Sequence, residues 1–127
     1  MPHPDMVLPF TATDAWACYA ALFLMVADIV TGFAQAVANK SIDSTKMRVG
    51  LWHKMASIML IVLAAGVDLF TANGVELGFH LPIFTGVCLY VGVMELTSNL
   101  ENIKLIYPAL AKAPIFKAFS KNDDEAQ

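Results

Sequence analysis

The sequence predicts an all-α membrane protein, with three transmembrane helices and an amphipathic cytoplasmic continuation of the third. Three long apolar segments predict the spans, at about residues 16–38, 50–71 and 81–97. About 20 apolar residues in a helix cross the ~30 Å hydrocarbon core of a bilayer. The composition agrees, because 57% of the residues are hydrophobic and only 15% are charged, which is unlike a soluble domain. A transmembrane β-barrel would need alternating apolar and polar residues, and none of these segments alternates.

The positions of the basic residues predict the orientation. All eight Lys and Arg residues lie in two stretches, 40–54 and 104–121, and the connection between the second and third spans contains none. Since Lys and Arg are enriched in cytoplasmic segments, we expect residues 1–14 to form an extracytoplasmic tail and residues 108–127 a cytoplasmic one. The three-helix transmembrane domain at 15–107 joins these tails, and its first connection is expected to face the cytoplasm.

Polar residues and prolines predict where the first and third helices begin. Thr11, Thr13 or Asp14 can cap the first helix, because each offers an oxygen to N–H groups that have no partner within the helix. Pro82, which follows Leu81, suits the first turn of the third helix.

The third helix is expected to continue beyond Met94 with an amphipathic pattern. Apolar residues recur there at helical spacing, at Leu96, Leu100, Ile103 and Tyr107. The sequence leaves open whether residues 96–107 lie in the plane of the membrane or extend from it. Pro108 and Pro114 then interrupt the helix, and residues 122–127 are expected to form a disordered acidic end.

Composition and motifs exclude several classes of function. The net charge of −3, with no basic cluster among aromatic residues, argues against nucleic-acid binding. Cys18 and Cys88 lie in apolar segments and the three histidines are dispersed, so no catalytic or metal-binding constellation is formed. We therefore expect no enzyme, no cofactor and no metal. The tail at 1–14 contains no Lys or Arg, so we do not expect a cleaved signal peptide.

Asp28 is the residue least compatible with lipid, since it lies near the middle of the first span. A charged side chain there costs roughly 2.5–3.5 kcal/mol. Acids in this position usually face a protein interior or a water-filled cavity and have a function. The sequence leaves open whether Asp28 is ionised, with Lys40 or Lys54 as the nearest candidate cations.

Each predicted helix carries a line of small and polar residues, which we call its polar seam. Small residues permit close helix packing and polar side chains bond across it, so helix–helix contact is the simplest interpretation. Contact with a neighbouring subunit or a pore lumen is the functional alternative, and Asp68 and Glu95 can also reach the headgroups. The seam residues are Asp28, Thr31, Gly32, Gln35 and Ala36 in the first helix, Lys54 and Asp68 in the second, and Thr85, Cys88, Gly92, Glu95, Asn99 and Asn102 in the third.

An ordered set of motifs runs from the first span to the end of the third. It consists of Asp28-Ile-Val-Thr31-Gly32, a basic connection with Lys40, Ser44, Lys46, Arg48 and Gly50, Lys54 at the start of the second span, Asp68 late in that span, and Glu95, Ser98, Glu101 and Asn102. In this order, over about residues 27–102, the chain resembles the phage lysis and toxin-secretion holin family.

The resemblance implies a small protein of the bacterial cytoplasmic membrane that homo-oligomerises and opens lesions. Its partners would be membrane lipid, further copies of the chain, an endolysin or toxin as cargo, and an antiholin. Three helices cannot enclose a wide aqueous channel, so a pore requires many copies. We expect the seam of the first helix to be buried between subunits or wetted by the lumen.

Two other functions stay open. One is a small ion or proton channel, or a transporter subunit, in which Asp28 acts as a relay; a relay needs a chain of titratable groups, whereas Asp28 stands alone in mid-span. The other is a non-conducting antiholin that assembles with a pore former, and such a protein would share most of the same residues.

Overall fold

The computed structural model describes residues 5–78 and 82–119, and these residues form an all-helical structure. The long helices are α1 (Ala12–Ala38), α2 (Ser44–Ala72) and α3 (Ile83–Ile106), followed by a 3₁₀ turn (Pro108–Lys112) and α4 (Pro114–Phe119). All three long helices are long and apolar enough to cross a membrane. The predicted fold class is confirmed. The long helix α3 ends before Pro108 as expected, and Pro108 and Pro114 begin the last two elements. Leu81 and the predicted acidic end at 122–127 lie outside the described residues.

The helix α3 holds the three-helix unit together. It packs most extensively against α1 and less extensively against α2, while direct contact between α1 and α2 is sparse. Small side chains let helix backbones approach closely, and most of the core is small: Ala17, Ala21, Met25, Ile61, Cys88 and Val91. Since α2 is attached at fewer points, each of its contacts matters more for the fold.

Many large apolar side chains point away from this core. Trp16, Phe23, Leu63 and Phe70 are each more than three-fifths exposed. A continuous apolar surface of this kind is normally covered by lipid or by other protein chains. The exposed surface therefore agrees with a membrane protein whose helices contact lipid.

Both ends of α1 are closed by defined hydrogen-bond motifs. Thr11 and Asp14 form a capping box, in which each side chain accepts a hydrogen bond from the backbone N–H of the other. Thr11 is therefore the N-cap among the predicted candidates. At the other end Lys40 adopts a left-handed conformation, with φ of 52°, and the N–H of Ser41 donates to the carbonyl of Ala36. This Schellman motif turns the chain sharply toward α2.

The helix α2 begins at Ser44, earlier than the predicted start of the second span at about residue 50. The carboxylate of Asp43 accepts hydrogen bonds from the N–H groups of Thr45 and Lys46 and caps the helix. Hydropathy detects only the apolar part of a helix, and α2 extends beyond that part. Of the five residues assigned to the basic connection, only Lys40 precedes α2. Ser44, Lys46, Arg48 and Gly50 lie in its first two turns, and Lys54 follows about one turn further on.

The first turn of α3 is capped by a side chain of α2. Pro82 is the N-cap residue and provides no side-chain cap. Instead the two carboxylate oxygens of Asp68 accept hydrogen bonds from the N–H groups of Ile83 and Phe84, at 3.0 and 2.9 Å. The helix then continues to Ile106, past the predicted end of the span at 97, so the amphipathic segment is part of α3.

Replacing Asp68 by Ala is expected to lower the free energy of unfolding by about 1–2 kcal/mol, as for the loss of a helix N-cap. The N–H groups of Ile83 and Phe84 lose their acceptor, and lipid offers no replacement. Glu76→Ala is the matched control, since Glu76 is exposed in the following connection, and its effect should stay within about 0.5 kcal/mol. SDS titration in mixed micelles, monitored by circular dichroism, measures the free energy of unfolding of both variants. Equal losses in the Asp68 and Glu76 variants would exclude the capping role.

Candidate functional site

Three charged side chains meet in the interior of the three-helix unit, and we call them the ion triad. The ammonium of Lys54 in α2 lies 2.6 Å from Oδ2 of Asp28 in α1 and 2.8 Å from Oε2 of Glu95 in α3. The side chains of Asp28, Lys54 and Glu95 are only 14%, 11% and 9% exposed. The triad therefore joins all three helices through buried ion pairs.

The energetics of burial explain why these residues meet. A charge inside the membrane costs several kcal/mol when it is alone, and pairing recovers part of this cost. Lys54 and Glu95 are among the four buried polar residues within the described residues, which also include Asp68 and Asn99. Because direct contact between α1 and α2 is sparse, the pair of Lys54 with Asp28 is a principal link between these two helices.

Two asparagines of α3 extend the triad into a hydrogen-bond network. The amide nitrogen of Asn102 donates to Oδ1 of Asp28 at 2.8 Å and to the hydroxyl of Thr31 at 3.0 Å. The amide nitrogen of Asn99 donates to the backbone carbonyls of Leu24 and Glu95, at 2.9 and 2.8 Å. Its carbonyl oxygen accepts from the hydroxyl of Thr31 at 3.1 Å.

This network leaves its buried groups satisfied. In residues 5–78 and 82–119, every buried side-chain nitrogen or oxygen has a hydrogen-bond partner. The two carboxylates of the triad face one ammonium, and the amide of Asn102 supplies a further donor to Asp28. Fully satisfied polar networks are rigid and define one arrangement of their elements.

Small seam residues lie beside this network. A side chain at Gly32 would place its Cβ 3.4 Å from the amide nitrogen of Asn102, which is close van der Waals contact. Ala36 is buried, and a Cβ on Gly92 would make ordinary contact with Leu24 of α1. The seams of α1 and α3 thus face each other within one chain.

A cavity of about 250 Å³ adjoins the triad on the side of the connection at 39–43. Asp28 and Lys54 line it, together with other residues of α1, α2 and α3. Seam and connection residues in its wall include Gly32, Gln35, Ala36, Lys46, Gly50 and Asn102. The triad is therefore next to a space open toward the first connection.

Two further seam residues, Thr85 and Asp68, belong to a second cluster at the opposite ends of the helices. Thr85 donates a hydrogen bond to the carboxylate of Asp14, and Asp68 caps α3. Close by, the side chain of Asn73 exchanges two hydrogen bonds of 2.9 Å with the backbone of Val7. The polar residues are thus divided between two levels, separated by the apolar core.

Several sequence interpretations change at this point. Asp28 does not stand alone, because it forms an ion pair with Lys54, and Lys54 also pairs with Glu95. Glu95 is buried between helices, so the headgroup alternative is wrong for it. Asp68 is buried as well and binds the first turn of α3. Assignment of the seam to a subunit interface or a lumen stays a prediction.

The sequence interpretation missed two positioning residues. Asp43 precedes a Ser-Thr pair at the start of α2, and this N-cap pattern was a usable signal. The second residue is Asn73, and no local pattern indicates its bonds with Val7, a residue far away in the chain. Among the residues described, no group of His, Cys, Asp and Glu is arranged to hold a metal ion.

Fold and site together define a three-helix membrane protein whose helices are joined by a buried charged network. The profile of the bacteriophage holin family matches residues 7–113. The chain therefore belongs to the bacteriophage holin family, which is not a family of enzymes. No curated protein and no solved structure matches the chain.

Replacing Lys54 by Met is expected to lower the free energy of unfolding by about 3–5 kcal/mol, because Asp28 and Glu95 are left buried without their cation. Lys46→Met is the matched control, since Lys46 is exposed and its loss should change the value by no more than about 0.5 kcal/mol. SDS titration in mixed micelles gives both values. A Lys54 variant as stable as the Lys46 variant would show that the triad does not stabilise the fold.

Proposed function

We propose that this protein homo-oligomerises in the bacterial cytoplasmic membrane and forms lesions through which an endolysin or toxin leaves the cell. The match to the bacteriophage holin family over residues 7–113 carries this proposal. The three apolar helices support it, because they suit a protein that accumulates in the bilayer.

The interior of a single chain favours assembly over conduction by one subunit. Between the ion triad and the cluster around Asp68, the described core is apolar and close-packed, with Ala21, Cys88 and Val91 almost fully buried. A water-filled passage for a protein would have to lie between subunits. The exposed apolar faces of the helices offer the surfaces for such contacts.

The ion triad has a place in this proposal. In the described conformation the polar seams of α1 and α3 bond each other, so the subunit presents mainly apolar side chains to the bilayer. A lumen requires polar surface, and the seams hold most of the polar side chains in the spans. We infer that lesion formation separates the seams and turns them toward water.

The proposed orientation places the N-terminal tail outside and the first connection and C-terminal tail in the cytoplasm. The distribution of Lys and Arg supports it. The bonds between Val7 and Asn73 are consistent with it, because they keep the N-terminal tail beside the connection after α2.

A proton relay is less well supported than a lesion. The triad supplies three titratable groups, but they lie at one level. A relay needs such groups at successive depths, and the described core between the two polar levels is apolar.

Inducible expression in a bacterium that also contains a cytoplasmic endolysin tests the function. A pore former gives growth, then abrupt loss of membrane potential and lysis. Growth without lysis at a confirmed level in the membrane contradicts the proposal, and delayed lysis of a co-expressed pore former would then indicate an antiholin. A pH-dependent proton current without endolysin release would indicate the channel.

Asp28→Asn is expected to bring lysis forward and to change the size of the oligomer. The substitution removes the negative charge through which Asp28 is held by Lys54 of α2 and Asn102 of α3, so the seam of α1 leaves the closed arrangement more easily. Asp43→Asn is the matched control, since asparagine caps a helix as well as aspartate does, and it should leave the delay unchanged. Turbidity after induction and cross-linking in membranes measure the two effects; an Asp28 variant with unchanged timing and oligomer size would rule out this role.

A further inference from the structure

The cleft between α1 and α2 contains two adjoining spaces of different chemistry. The first is the cavity of about 250 Å³ beside the triad, with Ser41, Asp43 and Lys46 in its wall. The second is a groove of about 440 Å³, lined mainly by apolar residues of both helices such as Met25, Val26 and Met55. Ile29, Leu51 and Lys54 line both spaces, so the two form one continuous cleft.

The order of the two spaces along the helices is that of a lipid in a bilayer. On α2 the cavity begins near Lys46 and the groove ends near Ile58. These residues are separated by roughly 18 Å of helix, which is about the depth of one leaflet of a ~30 Å core. Polar groups lie at the end near the first connection, and apolar side chains lie toward the middle of the helices.

Charge complementarity identifies the occupant of the polar end. Lys54 is already held by Asp28 and Glu95, and the carboxylate of Asp43 accepts the N–H groups that begin α2. Lys46 lines the cavity, and within residues 5–78 and 82–119 its ammonium forms no ion pair. A phosphate group is the natural partner of such an ammonium.

We propose that this cleft binds one membrane phospholipid, with its phosphate at Lys46 and an acyl chain in the groove between α1 and α2. The lipid fills the space where the two helices make little direct contact. A helix of a second copy would match the groove but would leave the polar cavity and the ammonium of Lys46 without a partner.

Native mass spectrometry of the detergent-solubilised full chain tests the proposal, with phosphatidylglycerol and phosphatidylcholine of identical acyl chains as probes. We expect the anionic lipid to be retained preferentially, and Lys46→Gln to weaken its binding about fivefold, as for one basic residue near a lipid headgroup. Lys112→Gln, an exposed lysine outside the cleft, should leave binding unchanged.

A second pair of variants tests the groove. Ile29→Trp places a bulky side chain in the cleft and should weaken binding of both lipids. Val30, the next residue of α1, is exposed, and Val30→Trp should leave binding unchanged. Circular dichroism confirms that the variants retain their helices. The proposal is overturned if each cleft variant retains as much lipid as its control. It is also overturned if Lys46→Gln and Lys112→Gln lose lipid equally. An altered oligomer size in Ile29→Trp with unchanged lipid retention also overturns it and assigns the groove to a subunit contact.

Discussion

The ammonium of Lys54 lies between the carboxylates of Asp28 and Glu95, and the position of α2 depends on these two ion pairs. The helices α1 and α3 pack extensively through a core of mostly small side chains. The helix α2 has fewer contacts, and lipid does not favour burial of its apolar residues against protein. A charge that lipid cannot accommodate therefore fixes α2 against the other two helices.

The rest of the polar interior follows from this constraint. Asp28 is held by Asn102 as well as by Lys54, and Thr31 and Asn99 continue the same network between α1 and α3. At the opposite ends of the helices, the carboxylate of Asp68 in α2 caps the first turn of α3. A chain with two polar levels and apolar outer faces can enter a bilayer as a closed unit and still carry the polar surface that a lesion requires.

Hydropathy and helix periodicity are local properties, so the three helices, their approximate spans and the breaks at Pro108 and Pro114 could be predicted from the sequence. The partners of the polar residues could not, because they depend on the rotation and relative depth of helices distant in the chain. The apolar pattern places Lys54 at the border of the second span, whereas the cap at Asp43 places it well inside α2. The sequence identifies Asp68 as an acid in a span. Its contact with α3 depends on how the connection after α2 brings Ile83 back beside it, which no local pattern indicates.

A double-mutant cycle in mixed micelles measures the link between α1 and α2 most directly. The free energy of unfolding is determined for the wild type, Lys54→Met, Asp28→Asn and the double variant. If the two side chains form a buried ion pair that fixes α2, the two substitutions should be non-additive by about 1–3 kcal/mol, with the double variant less damaged than the sum of the single ones. Additivity within about 0.5 kcal/mol would contradict a structural role for this pair.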